Sequence, residues 1–553
     1  MSDLELPLGK RSKLYRLFEI IPGVLSYGAL LLLVVLSLVN PLWASVYLLF
    51  VVITMFVKSL SINFNTLRGH RWLKGAQRVD WAARLADLQH PGEAYARIRD
   101  SKSSGFGYAA HQDNVRLLAE DGVAAVYPKP SSIKNAVIIA AYNESYDVIQ
   151  PTIESVKNTT YNNKQIILYL AYEERGGPEI EATAKRLQQE YADTFYTFQI
   201  VRHPKDIEGE VVGKGGNITY AARHLQRWCN NEGIQYNDVI ITTLDSDNRP
   251  FPSYFDYVTY EYVIRPDRRQ LSFQPIALYF GNIWDTPAPM RLIATGNSFW
   301  TVISSMRPRT LRNFAAHSQP MDALVEMDFW STRSIVEDGH QYWRSYFFFH
   351  GNYSVVPIHV PIYQDAVMAD TLKKTFVAQF KQLRRWGYGV SDIPYVAVRL
   401  FSRHRTVPFW GGLARFFRLI DSHVTLAVIA IMITLGGWVP LLINAEASRD
   451  IAAHSLPIVV SRIQQVAMIG IVISIFLMIK MLPPRPARYK RRRTVGMVLQ
   501  WLLMPFTTIC YGSLAAFNAQ THLMLGKYLD KFDVTDKATL ASQEQARQKK
   551  KSS

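Results

Sequence analysis

The sequence predicts an α/β domain with a mainly parallel sheet, inserted between apolar helices at the two ends of the chain. Near-continuous apolar runs lie at residues 23–39 and 42–57, and further apolar stretches at 424–443, 458–482 and 495–525. A membrane-spanning helix needs about 20 such residues. Between these runs, residues 58–419 contain no spanning segment, but short apolar stretches alternate with helical patterns there. That alternation is typical of a parallel sheet covered by helices.

The composition excludes several classes of protein. With 29 Tyr, 27 Phe and 12 Trp in 553 residues, the chain has ample apolar surface to bury and is not a disordered protein. Two cysteines, Cys229 and Cys510, exclude a disulfide framework and a CxxC metal site. A mean hydropathy of −0.02 argues against a chain that is almost wholly embedded in a membrane, such as a typical transporter.

Positive charge orients the predicted membrane segments. The net charge is 62 − 45 = +17, and Lys and Arg cluster beside the apolar runs, at residues 10–16, 58–74 and 485–493. The positive-inside rule therefore places both ends of the first hairpin and the α/β domain in the cytoplasm. Because these clusters flank apolar helices, we expect a lipid bilayer as the partner and no nucleic acid. The expected location is the inner or plasma membrane, crossed several times.

Polar loops follow two of the predicted strands. Strands are predicted at residues 136–141, 165–170 and 239–244, and the first and third end in Tyr-Asn-Glu at 142–144 and Asp-Ser-Asp at 245–247. Ligands of parallel α/β sheets bind at this edge. Two carboxylates one residue apart can bind Mg²⁺ or Mn²⁺, whose remaining ligands come from substrate phosphates. An isolated Asp-x-Asp is more often a solvated turn.

Three further motifs carry charged side chains. Gly-Lys-Gly-Gly-Asn at 213–217 precedes a predicted helix and favours an anion site, or is an ordinary glycine-rich helix start. Glu-Asp at 337–338 suits a base facing a hydroxyl group, or an N-cap. Gln-Leu-Arg-Arg-Trp at 382–386 suits diphosphate binding and sugar stacking, or a basic interfacial helix with a Trp anchor.

Taken in order, these five motifs resemble those of membrane-bound family 2 glycosyltransferases with a GT-A fold, the group that contains cellulose, chitin and hyaluronan synthases. A sixth motif, Phe-Asp-Val-Thr-Asp-Lys at 532–537, resembles the gating loop of cellulose synthases. The resemblance implies an inverting, metal-dependent transfer of sugar from a nucleotide-sugar, UDP-linked, to a growing polysaccharide that is exported. The alternative is transfer of one or a few sugars to a lipid acceptor at the inner leaflet.

The resemblance also implies roles for individual residues. Asp245 and Asp247 would bind Mg or Mn together with the donor diphosphate, and Asp338 would be the base. Catalytic roles are further implied for Glu337, Gln382, Arg385 and Trp386. Substrate binding is implied for Tyr142, Asn143, Glu144, Glu173, Lys214, Gly216, Asn217, Asp245, Phe532, Thr535 and Lys537.

The resemblance divides the chain into six units. They are a membrane hairpin (1–60), accessory helices (61–133), the GT-A domain (134–375), interface helices (376–419), membrane helices (420–525), and a gating-type loop with a basic tail (526–553). Two positions depart from the family pattern, since Val336 replaces a Thr and Glu173 stands in for an Asp-rich loop. Because of these departures, the resemblance does not identify the nucleoside base of the nucleotide-sugar donor.

The position of the gating-type motif limits how the last apolar stretch can cross the membrane. If it covers a cytoplasmic site, the chain must return to the cytoplasm after residues 495–525, which Pro505 interrupts. We therefore expect this stretch to re-enter as two half-passes or to cross twice with short helices. An oligomer could complete an export channel that so few helices would otherwise have to form alone.

Overall fold

The computed structural model describes residues 4–102, 104–120, 122–123, 126–445, 449 and 451–529. These residues form an α/β domain between N-terminal and C-terminal groups of long apolar helices, so the predicted fold class is confirmed. The gating-type motif, with Phe532, Thr535 and Lys537, lies outside the described residues.

The helices are numbered along the chain. Helices α1 to α5 are Lys13–Val39, Pro41–Gln77, Trp81–Gln89, Pro91–Ile98 and Tyr108–Ala119. Helices α6 to α12 are Tyr146–Lys157, Pro178–Glu190, Lys214–Glu232, Tyr254–Val263, Ala288–Ser305, Met321–Glu326 and Glu337–Phe348. Helices α13 to α20 are Leu372–Gly387, Asp392–Leu400, Phe409–Leu435, Val439–Ile443, Ile451–Met481, Arg492–Leu499, Met504–Thr507 and Leu514–Met524.

Eight strands form one sheet. Strands β1 to β8 are Lys134–Ala141, Ile166–Glu173, Thr197–His203, Val239–Asp245, Arg249–Pro250, Leu271–Leu278, His317–Pro320 and Ser354–Tyr363. Their order is β3-β2-β1-β4-β7-β6-β8-β5, and the first four are parallel. Strand β7 runs antiparallel to β4. Helices pack on both faces of the sheet, which is why β1, β2 and β4 are apolar and buried almost throughout.

The register of the sheet positions the predicted site. Ala141 pairs with Tyr172, and Ala140 pairs with Asp245. The carboxyl ends of β1, β2 and β4 therefore lie side by side. As predicted, the polar loops after β1 and β4 meet at one edge of the sheet.

Residues 61–133 continue helix α2 and then pack against the α/β domain. Helix α2 continues past the membrane hairpin to Gln77, and α3 to α5 follow it. Trp81 of α3 stacks on Tyr257 of α9 with ring centroids 3.6 Å apart. These helices cover one face of the sheet, which gives this segment a packing role.

Within the part of the chain that the structure describes, five segments are long and apolar enough to span a membrane: Lys13–Val39, Pro41–Gln77, Phe409–Ile443, His454–Met481 and Arg492–Met524. The first four segments alternate in direction. On the side away from the α/β domain, the Asn444 side-chain amide donates to the Ser37 carbonyl at 3.0 Å. On the side of the domain, Leu73 and Met481 share an apolar cluster with Trp284.

The fifth segment begins and ends on the side of the α/β domain. At its start, the Arg493 guanidinium donates to the Trp284 carbonyl at 2.7 Å. At its end, Arg16 donates to the Met524 carbonyl at 2.9 Å, and Arg16 lies at the opposite end of α1 from Ser37. A single crossing would separate these two contacts by about 30 Å of hydrocarbon. The contacts agree with the expected return of the chain, and a π-helical turn at Thr508–Ser513 interrupts the segment.

Candidate active site at the sheet edge

A cavity of about 960 Å³ opens at the carboxyl edge of β1, β2 and β4. Its wall includes most of the residues that the sequence predicts: Tyr142, Glu144, Glu173, Lys214, Asn217, Asp245, Asp247, Glu337, Asp338, Gln382, Arg385 and Trp386. Asn143 and Gly216 do not line the cavity. The fold thus gathers five motifs that are widely separated in the sequence around one cavity.

The Lys214 side chain forms ion pairs with carboxylates of two other motifs. Its ammonium lies 3.0 Å from an Asp245 oxygen, 3.3 Å from Asp338 and 3.8 Å from Glu337. The side chain is only 8% exposed. Burial lowers the pKa of Lys214, but the three carboxylates outweigh burial and raise that pKa above its ordinary value. The cation is therefore permanent and holds three acidic groups together.

The two neighbouring carboxyl groups differ in environment. Glu337 is 3% exposed, and burial, reinforced by repulsion from Asp338, raises the pKa of Glu337 against the opposing charges of Lys214 and Arg385. Asp338 is more open, with 17% of its side chain exposed on the cavity. Both begin α12, where the helix dipole favours negative charge. Asp338 is consequently the carboxylate that a substrate can reach.

His317 is a neighbour of Asp338 that the sequence did not reveal. Its Nδ1 lies 3.7 Å from an Asp338 oxygen and 3.1 Å from the Ala315 carbonyl, and its Nε2 accepts from the Trp330 indole N–H at 3.3 Å. Since an indole N–H only donates, the network assigns the proton to Nδ1. Burial lowers the pKa of His317, although Asp338 opposes this. A neutral imidazole therefore presents an N–H close to Asp338.

Asp245 and Asp247 are the candidate ligands for a cation. Asp247 is 6% exposed and accepts the Asp365 backbone N–H at 3.1 Å, whereas the Asp245 side chain is 36% exposed. Within the described residues, no group of three or more His, Cys, Asp or Glu is placed to hold a metal ion. Two carboxylates fit Mg²⁺ or Mn²⁺ that binds together with a diphosphate, because these ions accept most of their ligands from substrate and water.

The side chains predicted to contact the nucleotide-sugar are held by local contacts. A Glu144 oxygen accepts the Tyr142 backbone N–H at 2.7 Å. Glu173 forms an ion pair with Arg175, which also lines the cavity, and burial raises the pKa of Glu173 despite this cation. Asn217 donates to the Ala171 carbonyl at 3.0 Å, so its amide fixes the ends of the strands.

The Gln-x-x-Arg-Trp motif lies near the end of α13. The Trp386 ring is 36% exposed and lies 5.9 Å from the Tyr279 ring, between centroids. The Gln382 side-chain oxygen accepts from Gln379 at 3.1 Å. Arg385 is close enough for its charge to oppose the raised pKa of Glu337. This helix therefore closes the cavity on the side facing the carboxylates.

Two glycines of the 213–217 motif have a packing role. Helix α8 already begins at Lys214, so Gly215 and Gly216 lie in its first turn. A Cβ at Gly215 would overlap the Ser331 carbonyl oxygen, and a Cβ at Gly216 would press on the Glu210 carboxylate. The missing side chains let α8 approach the segment that leads to Glu337.

Gly215→Ala should destabilise the protein and disturb the contacts of Lys214. Because the new methyl group meets backbone, we expect the free energy of unfolding to fall by about 1–3 kcal/mol, measured by thermal unfolding in detergent. Gly92→Ala is the matched control, since no atom lies within 4 Å of a Cβ there. Equal stability of the two variants would contradict the packing role of Gly215.

Comparisons with known proteins give a distant likeness. No protein-family model matches the chain, and no curated protein sequence matches it. Similar solved structures include the mannosyltransferase PcManGT from Pyrobaculum calidifontis in complex with GDP-Man and Mn²⁺, at 13% identity, 80% coverage of this chain, 100% of that chain and a TM-score of 0.38. S. aureus TarS 1–349 in complex with UDP-GlcNAc has 9% identity, with 72% and 93% coverage and a TM-score of 0.34.

A third solved structure is the glucosyl-3-phosphoglycerate synthase from Mycobacterium tuberculosis in complex with Mn²⁺, uridine diphosphate and phosphoglyceric acid. It has 12% identity, 48% coverage of this chain, 82% of that chain and a TM-score of 0.28. The α/β domain is thus distantly similar to GT-A glycosyltransferases. At these identities and TM-scores the likeness carries no argument about activity.

Proposed function

We propose that the protein is a membrane-bound, inverting family 2 glycosyltransferase that uses a nucleotide-sugar donor, UDP-linked, and an acceptor hydroxyl group. One observation carries the proposal. Lys214, Asp245, Glu337 and Asp338 come from three distant motifs and meet around one ammonium group in a cavity at the sheet edge. Clusters of this kind, with perturbed pKa values in a cleft, are frequent at catalytic sites.

Asp338 acts as the general base in this proposal. The acceptor oxygen forms a bond to the anomeric carbon as the bond from that carbon to the diphosphate oxygen breaks, and the hydroxyl proton passes to Asp338. Direct attack by the acceptor inverts the anomeric centre without a covalent enzyme intermediate. The Lys214 ammonium, 3.3 Å from an Asp338 oxygen, keeps this carboxylate oriented, and the His317 ring lies beside it.

Positive charge stabilises the departing nucleotide. Asp247 and Asp245 would hold Mg²⁺ or Mn²⁺, which neutralises charge on the diphosphate when bound. Arg385 and Lys214 line the same cavity and add fixed positive charge that needs no reorganisation during the reaction. Gln382 and Trp386 form the surface against which donor and acceptor sugars lie.

Donor hydrolysis tests this proposal most directly. Full-length protein purified in a non-ionic detergent and given a panel of nucleotide-sugars with Mn²⁺ should release nucleoside diphosphate from one donor class. Chelation with EDTA should slow release by ~100-fold or more, because a metal contributes several kcal/mol to such steps. Release from no donor, or release that EDTA leaves unchanged, would contradict the proposal.

The cavity continues from the carboxylates to the membrane segments, where Leu426 and Thr508 line it. An acceptor can therefore reach Asp338 from the membrane side. This route serves either a growing polysaccharide or a lipid acceptor.

We also propose that the α/β domain is cytoplasmic. Arg449 is exposed between the third and fourth membrane segments, on the side away from the domain, and Glu208 is exposed on the domain itself. In intact cells, an impermeant maleimide should label Arg449→Cys but not Glu208→Cys, with the unmodified chain as the background for Cys229 and Cys510. The reverse pattern would place the domain outside.

A further inference from the structure

The two ends of the cavity carry opposite charge. The sheet edge holds the carboxylates Asp245, Asp247, Glu337 and Asp338. The membrane-side end is lined by Arg312, Arg415 and Arg418, called here the arginine cluster. A single cavity therefore offers an acidic end near the proposed reaction centre and a basic end near the bilayer.

The arginine cluster lies close to the proposed base. The Arg415 Nε donates to the Tyr342 hydroxyl at 3.3 Å. Tyr342 and Asp338 are four residues apart on α12 and both line the cavity, so they occupy the same helix face, about one turn or ~5.4 Å apart. The Arg415 side chain therefore points into the domain. The Tyr342 ring and one turn of α12 lie between it and Asp338.

The cluster lacks acidic partners of its own. Among the described residues, Arg312, Arg415 and Arg418 form no ion pair with a carboxylate. Asp392 acts on Arg312 through its charge, but it already accepts from His340 Nδ1 at 2.6 Å. Burial lowers the pKa of Arg312 against this charge. Arg312 and Arg415 are partly buried, whereas Arg418 is exposed. A partly desolvated guanidinium group without a carboxylate partner is costly, unless an anion binds there.

Apolar surface adjoins the cluster. Leu426 is 45% exposed and Trp300 is 54% exposed, and both line the cavity together with Met504. Arg415 and Arg418 lie in the domain-side third of the third membrane segment, which spans Phe409–Ile443. A ligand that satisfies both surfaces has an anionic group beside an apolar chain.

We propose that the acceptor is a phosphate-bearing amphiphile. Its phosphate lies in the arginine cluster, its apolar chain lies along Leu426 and Met504, and its hydroxyl group reaches Asp338. This inference rests on the proposed function and deepens it, because it assigns the acceptor to membrane lipids rather than to a neutral polysaccharide. Guanidinium groups suit phosphate because they donate two parallel hydrogen bonds to it.

The test measures binding to full-length protein in dodecyl maltoside by calorimetry. The probes are dodecyl phosphate, dodecyl glucoside and inorganic phosphate, and the variants are Arg418→Gln and the double variant Arg312→Gln/Arg418→Gln. We expect dodecyl phosphate to bind more tightly than the other probes, and the double variant to bind it ~10-fold or more weakly. Arg227→Gln is the matched control, because Arg227 is exposed on α8 outside the cavity.

Three results would overturn the proposal. Unchanged affinity of the double variant for dodecyl phosphate would exclude the arginine cluster as its site. Equal binding of inorganic phosphate would indicate a free-phosphate site, and equal binding of dodecyl glucoside would indicate apolar binding only. If the double variant unfolds, Arg418→Gln decides, since Arg418 is exposed. Donor hydrolysis by the wild-type protein is measured separately, so failure of the proposed function shows there and not in these titrations.

Discussion

Asp338→Asn is expected to reduce sugar transfer by ~100- to 10,000-fold, the range that a general base contributes. Asparagine has the same shape as aspartate, but its amide cannot accept the acceptor proton. The side chain lies on the cavity wall and the backbone at this position already starts α12, so the fold should persist. The measurement is product formation with the donor and acceptor identified by screening, at saturating Mn²⁺.

Asp328→Asn is the matched control. Asp328 is an exposed carboxylate that pairs with Arg223 at 2.8 Å, away from the cavity. Its variant should keep transfer close to the wild-type rate, and both variants should show similar unfolding temperatures. Normal transfer by Asp338→Asn would remove Asp338 from the role of base. Glu337 could not simply replace it, because that side chain is buried.

The sequence allowed the sheet edge to be predicted because the relevant signals are local. Apolar strands that end in polar loops show where ligands collect in a parallel sheet. The loops after β1 and β4 then lie together because the carboxyl ends of parallel strands meet at one edge of the sheet. The same locality explains why apolar runs were sufficient to predict helices that are long enough to span a membrane.

His317 and the arginine cluster could not be found in this way. His317 lies on β7, an antiparallel strand of four residues whose sequence, His-Ser-Gln-Pro, has no apolar pattern that would predict a strand. Arg415 and Arg418 carried a usable signal, since charged residues in an apolar helix commonly mark function. Only the contact of Arg415 with Tyr342 shows that this charge faces the cavity.

The packing role of Gly215 and Gly216 could not be predicted from the sequence, for a different reason. Their pattern was compatible with an anion site, but the role of a missing side chain depends on what lies opposite. In the fold, the Ser331 carbonyl and the Glu210 carboxylate occupy those places. Sequence alone contains no information about such neighbours from distant segments.

Lys214→Met should both destabilise the protein and abolish transfer. Removal of the ammonium leaves the buried carboxyl of Glu337 and the nearby Asp245 and Asp338 without their common counter-charge. Breaking a buried charge network by removal of one partner typically costs about 3–5 kcal/mol. Methionine keeps most of the volume, so packing changes little. Lys185→Met is the control, since Lys185 is 60% exposed and its carboxylate partner among the described residues is Glu181 on α7, where solvent screens the interaction.

The loss in Lys214→Met should depend on pH, with a sign set by Glu337. The pKa of Glu337 is already raised in the folded protein, and loss of the cation raises it further. A carboxyl group with a raised folded pKa binds more protons when folded, so stability falls as pH rises from the ordinary glutamate pKa through the folded value. The difference in unfolding temperature between Lys214→Met and wild type should therefore be small in acid and grow toward alkaline pH. A difference that is constant across this range, or largest in acid, would mean that Lys214 acts through packing alone and not by neutralising these carboxylates.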